Sequence, residues 1–470
     1  ENPDNAYISV SEKGAWALLE TFLTINPLFA ANEFKKACGF SVLIEEDMGK
    51  EVERRHHYFS KALSLSYKEP IKMHSAAFQY MYATNGTTYL DAYNNIPIVG
   101  HNHPKVVEAA QRQIAKLNTN TRYVYDILHE YAEKLLSKFP DKLNKIFFVN
   151  SGSAASDLAI RLAHAHTGRK NLMVMEHGYH GNTQIGIDIS HYKFGGKGGQ
   201  GNSDYILTAP IPDTYRGIFR ENEPNVGVLY AEAAYDILAK SGKEIAAFIA
   251  EPALGCGGQV ILPEGYFQYI FPKIRAHGGI CIVDETQVGF ARAGSHFWAY
   301  ETQNVVPDVV ILGKPIGNGH PMAAVVTTDE IVNSFENGME FFSSFGGNPV
   351  SCAIGLAVLE VLETEQLQAN AFKVGNYLIQ ELNTLKNRHK LIGDVRGLGL
   401  FIGVDLVKNR TTREPATKAA ANLKNALKKA HILTSTDGPF DNVLKMKPPL
   451  CFSKKNVDRV VAEIDRILRK

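Results

Sequence analysis

The sequence predicts an α/β protein: a large domain on a mostly parallel central sheet, followed by a smaller C-terminal α/β domain. Two observations carry this. The runs Ile146–Val149, Asn171–Met175, Ala246–Ala250, Gly279–Val283, Val309–Leu312 and Ala323–Val326 are short, almost wholly apolar and separated by helical patterns. Such runs belong to strands covered on both faces, as in parallel sheets with helical crossovers. Most of them also stop at a polar, charged or glycine-rich turn, and ligands of open α/β sheets bind outside the carboxyl ends of the strands.

The strand ends can be read in turn. The first gives Asn150-Ser151-Gly152-Ser153 and then a helix from Leu158 to Ala165. A Gly/Ser turn opening a helix offers free N–H groups and a positive dipole end, which suit phosphate, although Ser-Gly-Ser is also an ordinary N-cap turn. The second gives His177-Gly178-Tyr179-His180-Gly181, where Tyr179 is placed to stack on an aromatic ring or to lie under the turn as a core residue. The third ends at Glu251 and the fourth at Asp284-Glu285-Thr286-Gln287. A carboxylate at a buried strand end needs a partner, so Asp284 is expected to face a cation. The fifth ends at Lys314, followed by Pro315, Gly317, Asn318 and Gly319. A lysine at the mouth of an apolar strand loses hydration, which favours the neutral amine able to condense with a carbonyl. Together these are the parts of a pyridoxal phosphate site. A sugar-phosphate lyase working through a lysine imine alone would have no use for Asp284 or Tyr179.

The rest of the chain sets bounds. It has 470 residues, a net charge of +1 and 45% hydrophobic residues. The length suggests two or three domains, and the near-neutral charge gives no reason to expect nucleic acid or an acidic membrane surface. Five cysteines without metal-ligand spacing point to a reduced, cytoplasmic protein, and no metal site is expected at His101 and His103. No apolar run is long enough to span a bilayer, and Glu1-Asn-Pro-Asp-Asn is not a signal peptide. Helical periodicity over Glu12–Phe40, broken at Asn26-Pro27, predicts two helices. Around Asn85-Gly86 the pattern predicts a β-hairpin with a type I′ turn. Further helices are expected over Cys352–Glu363, Phe372–Leu385, Lys418–Ala430 and Lys455–Leu468, and strands over Leu391–Val395, Leu400–Leu406 and Val443–Lys447, with Arg396 as their one buried polar feature.

The motifs Asn-Ser-Gly-Ser (150–153), His-Gly-Tyr-His-Gly (177–181), Asp-Glu-Thr-Gln-Val-Gly (284–289), Gly-Lys-Pro-Ile-Gly-Asn-Gly (313–319), Phe-Gly-Gly-Asn-Pro (345–349) and Val-Arg-Gly-Leu-Gly-Leu (395–400) resemble, as a set, those of class III aminotransferases. These are homodimeric fold-type I pyridoxal phosphate enzymes, and the resemblance runs from about Ile71 to the C-terminus. It implies that Lys314 is the Schiff-base lysine and proton shuttle, and that Asp284 holds the pyridinium nitrogen. Gln287 would lie by the ring hydroxyl, Tyr179 would stack on the ring, and Gly152 and Ser153 would hold the phosphate. Ser344 stands where the family usually has Thr, a residue that reaches the phosphate from the partner subunit. Arg396 matches an arginine that grips an amino-acid carboxylate; with Glu251 it makes up the substrate side. Ala154 and Ser156 depart from the usual Glu and Asn, and Thr286 and Ala291 from Val and Gly.

Within the family the chain is most similar to ethanolamine-phosphate and phosphohydroxylysine phospho-lyases, on stretches such as Tyr192-Lys193-Phe194, Pro212–Gly217 and Ser435–Pro439. The expected reaction is therefore elimination of phosphate from a small phospho-amine. The alternative is a transaminase passing an amino group to pyruvate, glyoxylate or 2-oxoglutarate. Lys193, Arg216 and Arg122 are candidates for holding the leaving phosphate. The expected organisation is a helical extension over 1–65, a hairpin segment over 66–103 packing with the small domain, a cofactor-binding domain over 104–345 and a small domain over 346–470. The segment Tyr7–Phe40 resembles the junction in bacterial proteins that fuse a small-molecule kinase ahead of such an enzyme.

Overall fold

Asp47 opens the part of the chain described by the computed structural model, residues 47–469. Its carboxylate accepts from the amides of Gly49 and Lys50 and so caps α1 (Met48–Tyr58), satisfying two otherwise orphaned helix donors. The helices expected over 12–40, and the segment resembling a fusion junction, lie outside the described residues.

The described residues form two units, 47–76 with 80–90, and 77–79 with 91–469. The boundary expected at 345/346 falls inside the second. The strands β1 (Met73–Ala77), β2 (Tyr80–Ala83) and β3 (Thr88–Asp91) open the sheet structure, and β2 and β3 form the expected hairpin. Its turn differs from expectation. Gly86 has φ +82° and Asn85 is not left-handed, whereas type I′ needs both. The Gly86 amide donates to the Ala83 carbonyl and the Ala83 amide to the Thr87 carbonyl, which is a three-residue loop with left-handed glycine in its last position. Asn85 instead uses its side chain, accepting from the Thr87 amide.

The second unit begins its regular structure with α2 (Pro104–Lys116) and α3 (Asp126–Leu136). It then alternates β4 (Lys145–Val149), α4 (Gly152–Thr167), β5 (Asn171–Met175), β6 (Ile206–Ala209), α5 (Val226–Ser241), β7 (Ile245–Ala250), the small hairpin β8 (Ala253–Leu254) and β9 (Val260–Ile261), α6 (Tyr266–Ala276), β10 (Ile280–Asp284), β11 (Val309–Leu312) and β12 (Ala323–Thr327). Seven strands make one sheet in the order β4-β12-β11-β10-β7-β5-β6. β12 runs antiparallel to both its neighbours, and the other pairs are parallel. Every second residue of the inner strands, such as Ala247, Ile249, Ile282, Val309 and Ile311, joins Leu158, Ala159 and Leu162 of α4 in one apolar cluster. Each Val, Leu or Ile among them contributes about 1.5–3 kcal/mol by burial. β6 was not expected: Ile-Leu-Thr-Ala is an edge strand with half-exposed central residues, so its apolar run is too short to stand out.

The chain continues with α7 (Pro349–Thr364), α8 (Leu367–Arg388), β13 (Ile392–Leu398), β14 (Phe401–Asn409), β15 (Glu414–Pro415), α9 (Thr417–Lys429), β16 (Ile432–Leu433), β17 (Ser435–Asp437), β18 (Val443–Met446) and α10 (Lys454–Leu468). β13-β14-β18-β17 form an antiparallel sheet with β15 on the side of β14. The expectation that Arg396 is the one buried polar feature here is corrected: Asp405, Asp437, Asn442 and Lys447 are all buried.

Candidate active site

The carboxyl ends of β5, β7, β10 and β11 deliver the expected side chains to one edge of the central sheet. Lys314 follows directly on β11 and has φ +35°, a left-handed conformation that a β-carbon disfavours and that is typically held in place at functional sites. It is half-buried, and no hydrogen bond or ion pair among the described residues engages its amine. Burial lowers its pKa below the usual lysine range, against the opposing pull of Asp284, Cys256 and Glu251.

Asp284 ends β10, the strand beside β11, in register with Ile311. Its Oδ2 lies 2.8 Å from Nδ1 of His180, and its Oδ1 accepts from the Thr286 amide at 3.0 Å. Burial pushes the carboxyl up, but these hydrogen bonds outweigh it and hold Asp284 below its ordinary value. The partner expected as a cation is thus an imidazole, whose Nε2 is buried without a partner. His180 stood in the sequence motif without a role; a histidine one residue beyond the stacking tyrosine was the available signal.

Tyr179 is half-buried, and Lys193 Nζ lies 5.6 Å from its ring centre and 5.5 Å from that of Tyr192. Glu251 is buried and its two oxygens accept from the amides of Tyr179 and Gly255, each at 3.1 Å. Expected on the substrate side, it ties the Tyr179 turn to the 255–259 loop. At the head of α4, the Ser151 hydroxyl caps the Ala154 amide. The next two amides, of Gly152 and Ser153, have no acceptor among the described residues. Ser153 Oγ accepts from the Asn182 amide at 3.0 Å. Gly181, at φ +135°, lies so close that a β-carbon there would come within 2.9 Å of that oxygen. The helix starts six residues earlier than expected, which makes Gly152 and Ser153 its first turn. Ala155 and Ser156, where the family pattern has Ala and Asn, are simply buried in α4.

Gln287 accepts at Oε1 from Asn95 Nδ2 (3.2 Å) and Lys447 Nζ (2.9 Å). Lys445, two residues before Lys447, donates to Asp437 Oδ2 at 2.9 Å. Sequence reasoning missed both lysines, although Lys-Met-Lys in an otherwise apolar strand was a visible anomaly. Burial, with repulsion from Lys445 adding to it, lowers the pKa of Lys447 to about 7.

Arg396 is placed differently from expectation. Nε donates to the Gly258 carbonyl at 2.9 Å, Nη1 to Asp394 at 3.0 Å and Nη2 to Asp405 at 3.3 Å. Where the sequence suggested a guanidinium held ready for a carboxylate, the structure shows one paired with the chain's own acids. Arg216 is likewise bound to Asp405, and Arg122 pairs with Glu340 at an exposed position. Ser344 is exposed, and its hydroxyl has no partner among the described residues.

Residues 63–468 match the family described as aminotransferase class-III. The chain belongs to this family. Among its class-III relatives is a Drosophila melanogaster protein named alanine–glyoxylate aminotransferase 2-like, 48% identical over 87% of this chain and 84% of its own length. Another is ethanolamine-phosphate phospho-lyase homolog 1 of Caenorhabditis elegans, 40% identical over 89% of this chain and 92% of its own. Among solved structures, an Arthrobacter phospholyase in complex with phosphoethanolamine superposes with a TM-score of 0.84 at 37% identity, over 89% of this chain and 99% of that one.

This class-III chain is an enzyme with the fold-type I architecture, and its cofactor is pyridoxal phosphate. The donor set fits that group. An unengaged amine, an ionised carboxylate on an adjacent strand, a half-buried phenol ring and free first-turn amides match an aldehyde, a pyridinium nitrogen, a ring face and a phosphate.

Proposed function

We propose that the chain is a phospho-lyase, eliminating inorganic phosphate from a small amine that carries phosphate on the neighbouring carbon, with ethanolamine phosphate as the simplest such substrate. The observation that carries this reading is the state of Arg396: its guanidinium is already taken up by Asp394, Asp405 and the Gly258 carbonyl. A transaminase using an amino acid or keto acid needs a grip on the carboxylate, and this arginine does not offer one. The phosphoethanolamine bound by the Arthrobacter relative supports the same substrate class.

In this reading Lys314 binds the cofactor and, once displaced by the substrate amine, takes the proton from the amine-bearing carbon. Its burial-lowered pKa keeps a larger fraction of the amine neutral for that task. Asp284, held ionised by His180, would keep the pyridinium nitrogen protonated. Tyr179 would cover one ring face, Gln287 would lie by the ring hydroxyl, and the amides of Gly152 and Ser153 would hold the cofactor phosphate at the positive end of α4. When bound, the cofactor supplies the electron sink that makes this carbon acidic. As the proton moves to Lys314, the bond from carbon to phosphate oxygen breaks and phosphate leaves with the electron pair. Hydrolysis of the remaining fragment gives an aldehyde and ammonia.

The reading includes a homodimer in which Ser344 reaches the partner subunit's cofactor phosphate. Support comes from its exposed, unengaged hydroxyl and from the exposed apolar residues Val124, Met339 and Phe345. It also includes a cytoplasmic setting, in keeping with Cys256, Cys281, Cys352 and Cys451 being thiols. The test is release of phosphate and ammonia from ethanolamine phosphate by the holoenzyme without keto acid. Stoichiometric release of both is expected. Amino transfer to pyruvate, glyoxylate or 2-oxoglutarate with no phosphate released would make the chain a transaminase.

A further inference from the structure

We propose that Lys445 and Lys447 form the seat of the substrate's phosphate dianion, with Asp437 as the resting counter-ion of Lys445. This rests on the phospho-lyase reading and names the residues that would make it selective.

Lys445 lies in β18 and Lys447 is the first residue past its end, where the Lys447 amide donates to the Ala92 carbonyl. Lys447 is 1% exposed. Among the described residues its amine has one hydrogen-bond acceptor, the neutral Gln287 amide oxygen, and otherwise lies 4.4 Å from the centre of the Phe401 ring. Lys445 is paired with Asp437, and Gln259 Nε2 lies 3.5 Å from the same Asp437 oxygen. Asp437 is thus engaged by Lys445, and no carboxylate among the described residues is hydrogen-bonded to Lys447. Glu251, the next acid, is pushed toward its neutral form by burial and by Asp284. A buried amine short of counter-charge is held partly neutral, and an arriving dianion favours its charged form. The position suits the chemistry. Gln287 joins Lys447 to the turn after Asp284, and the charge on Lys445 acts on the Lys314 amine. The arginines that sequence suggested for this task are committed elsewhere, Arg216 to Asp405 and Arg122 to Glu340.

The test uses holoenzyme, whose cofactor-phosphate cup is already filled. Lys445→Met and Lys447→Met are each expected to raise KM for ethanolamine phosphate by about tenfold or more, and to weaken competitive inhibition by inorganic phosphate in step, as loss of a charge-assisted hydrogen bond does. Asp437→Asn frees Lys445 and is expected to move both quantities the other way, which a purely structural role would not do. Independently of turnover, inorganic phosphate should raise the thermal midpoint of wild-type holoenzyme and not that of Lys445→Met. Lys445→Gln serves if the methionine variant does not fold. The proposal is overturned if wild type releases phosphate while folded, cofactor-loaded lysine variants keep KM and phosphate inhibition unchanged. If wild type transfers amino groups and releases no phosphate, the phospho-lyase reading falls, and the phosphate-dependent midpoint still decides whether the seat exists.

Discussion

His180 Nδ1 lies 2.8 Å from Asp284 Oδ2, with both side chains sealed from solvent. A buried carboxylate would ordinarily drift toward its neutral form; here the imidazole hydrogen bond and the Thr286 amide keep it ionised. An ionised Asp284 is what a protonated pyridine nitrogen requires. Asp284→Asn is therefore expected to retain cofactor and lose on the order of a hundredfold to a thousandfold in kcat, the range seen when one electrostatic stabiliser is removed. His180→Leu leaves the carboxyl but removes its main hydrogen bond, so burial raises its pKa. The acid limb of the pH–rate profile should then move to higher pH while cofactor content stays constant. An unmoved limb would mean that His180 does not act through Asp284.

Lys314 joins a left-handed backbone to an amine that no hydrogen bond or ion pair among the described residues engages. Lys314→Ala should abolish turnover. Borohydride treatment should no longer fix the cofactor to the chain, as mass spectrometry of the denatured protein would read. Cofactor that still became covalently attached in this variant would assign the linkage to another amine, with Lys447 the first to examine.

The strands of the central sheet could be read in the sequence because a strand covered on both faces must be apolar at every position, and the ends of β10 and β11 delivered Asp284 and Lys314 where the run stopped. What could not be read was pairing across the fold. Arg396 in a Gly-rich turn looks available in one dimension; that Asp394 and Asp405 face it depends on β13 lying beside β14. Lys447 was hidden for the converse reason. A lysine in a strand is read as solvent-facing, and its burial against Gln287 depends on a contact between residues 160 positions apart. Glu251 was visible as a buried acid, yet its partners are backbone amides, which leave no trace in residue identity.

Arg396→Gln separates structure from substrate binding. The guanidinium is mostly buried against Asp394 and Asp405, and removing one partner of a buried ion pair costs about 3–5 kcal/mol because the other charge is stranded. Urea denaturation should register a loss of that order, with KM for ethanolamine phosphate little changed. A variant of unchanged stability that lost affinity for amino-acid substrates would restore Arg396 to the substrate side.

Phe345 is 66% exposed and adjoins Ser344. An apolar residue this open, next to a hydroxyl without a partner, is suited to burial against a second copy. Phe345→Asp should shift sedimentation toward the monomer and weaken cofactor retention together, because the partner's hydroxyl is lost with the interface. Loss of dimer with full cofactor affinity would remove Ser344 from the phosphate site.

Glu285, next to Asp284, gives a pH test independent of catalysis. It is buried, Oε1 accepts from the Tyr300 amide at 2.8 Å, and Oε2 has no partner among the described residues. Burial raises its pKa to about 8, against 4.5 for the ordinary side chain. The folded state therefore binds more protons than the unfolded state between these values, and stability from this group is full below 4.5 and lost as pH rises through 8. Glu285→Gln is neutral at every pH and close in shape. The midpoint of wild type relative to this variant should fall steadily as pH rises across that window and level off on either side. A constant difference from pH 5 to 8 would show that Glu285 is already ionised in the folded protein, with its second oxygen hydrated.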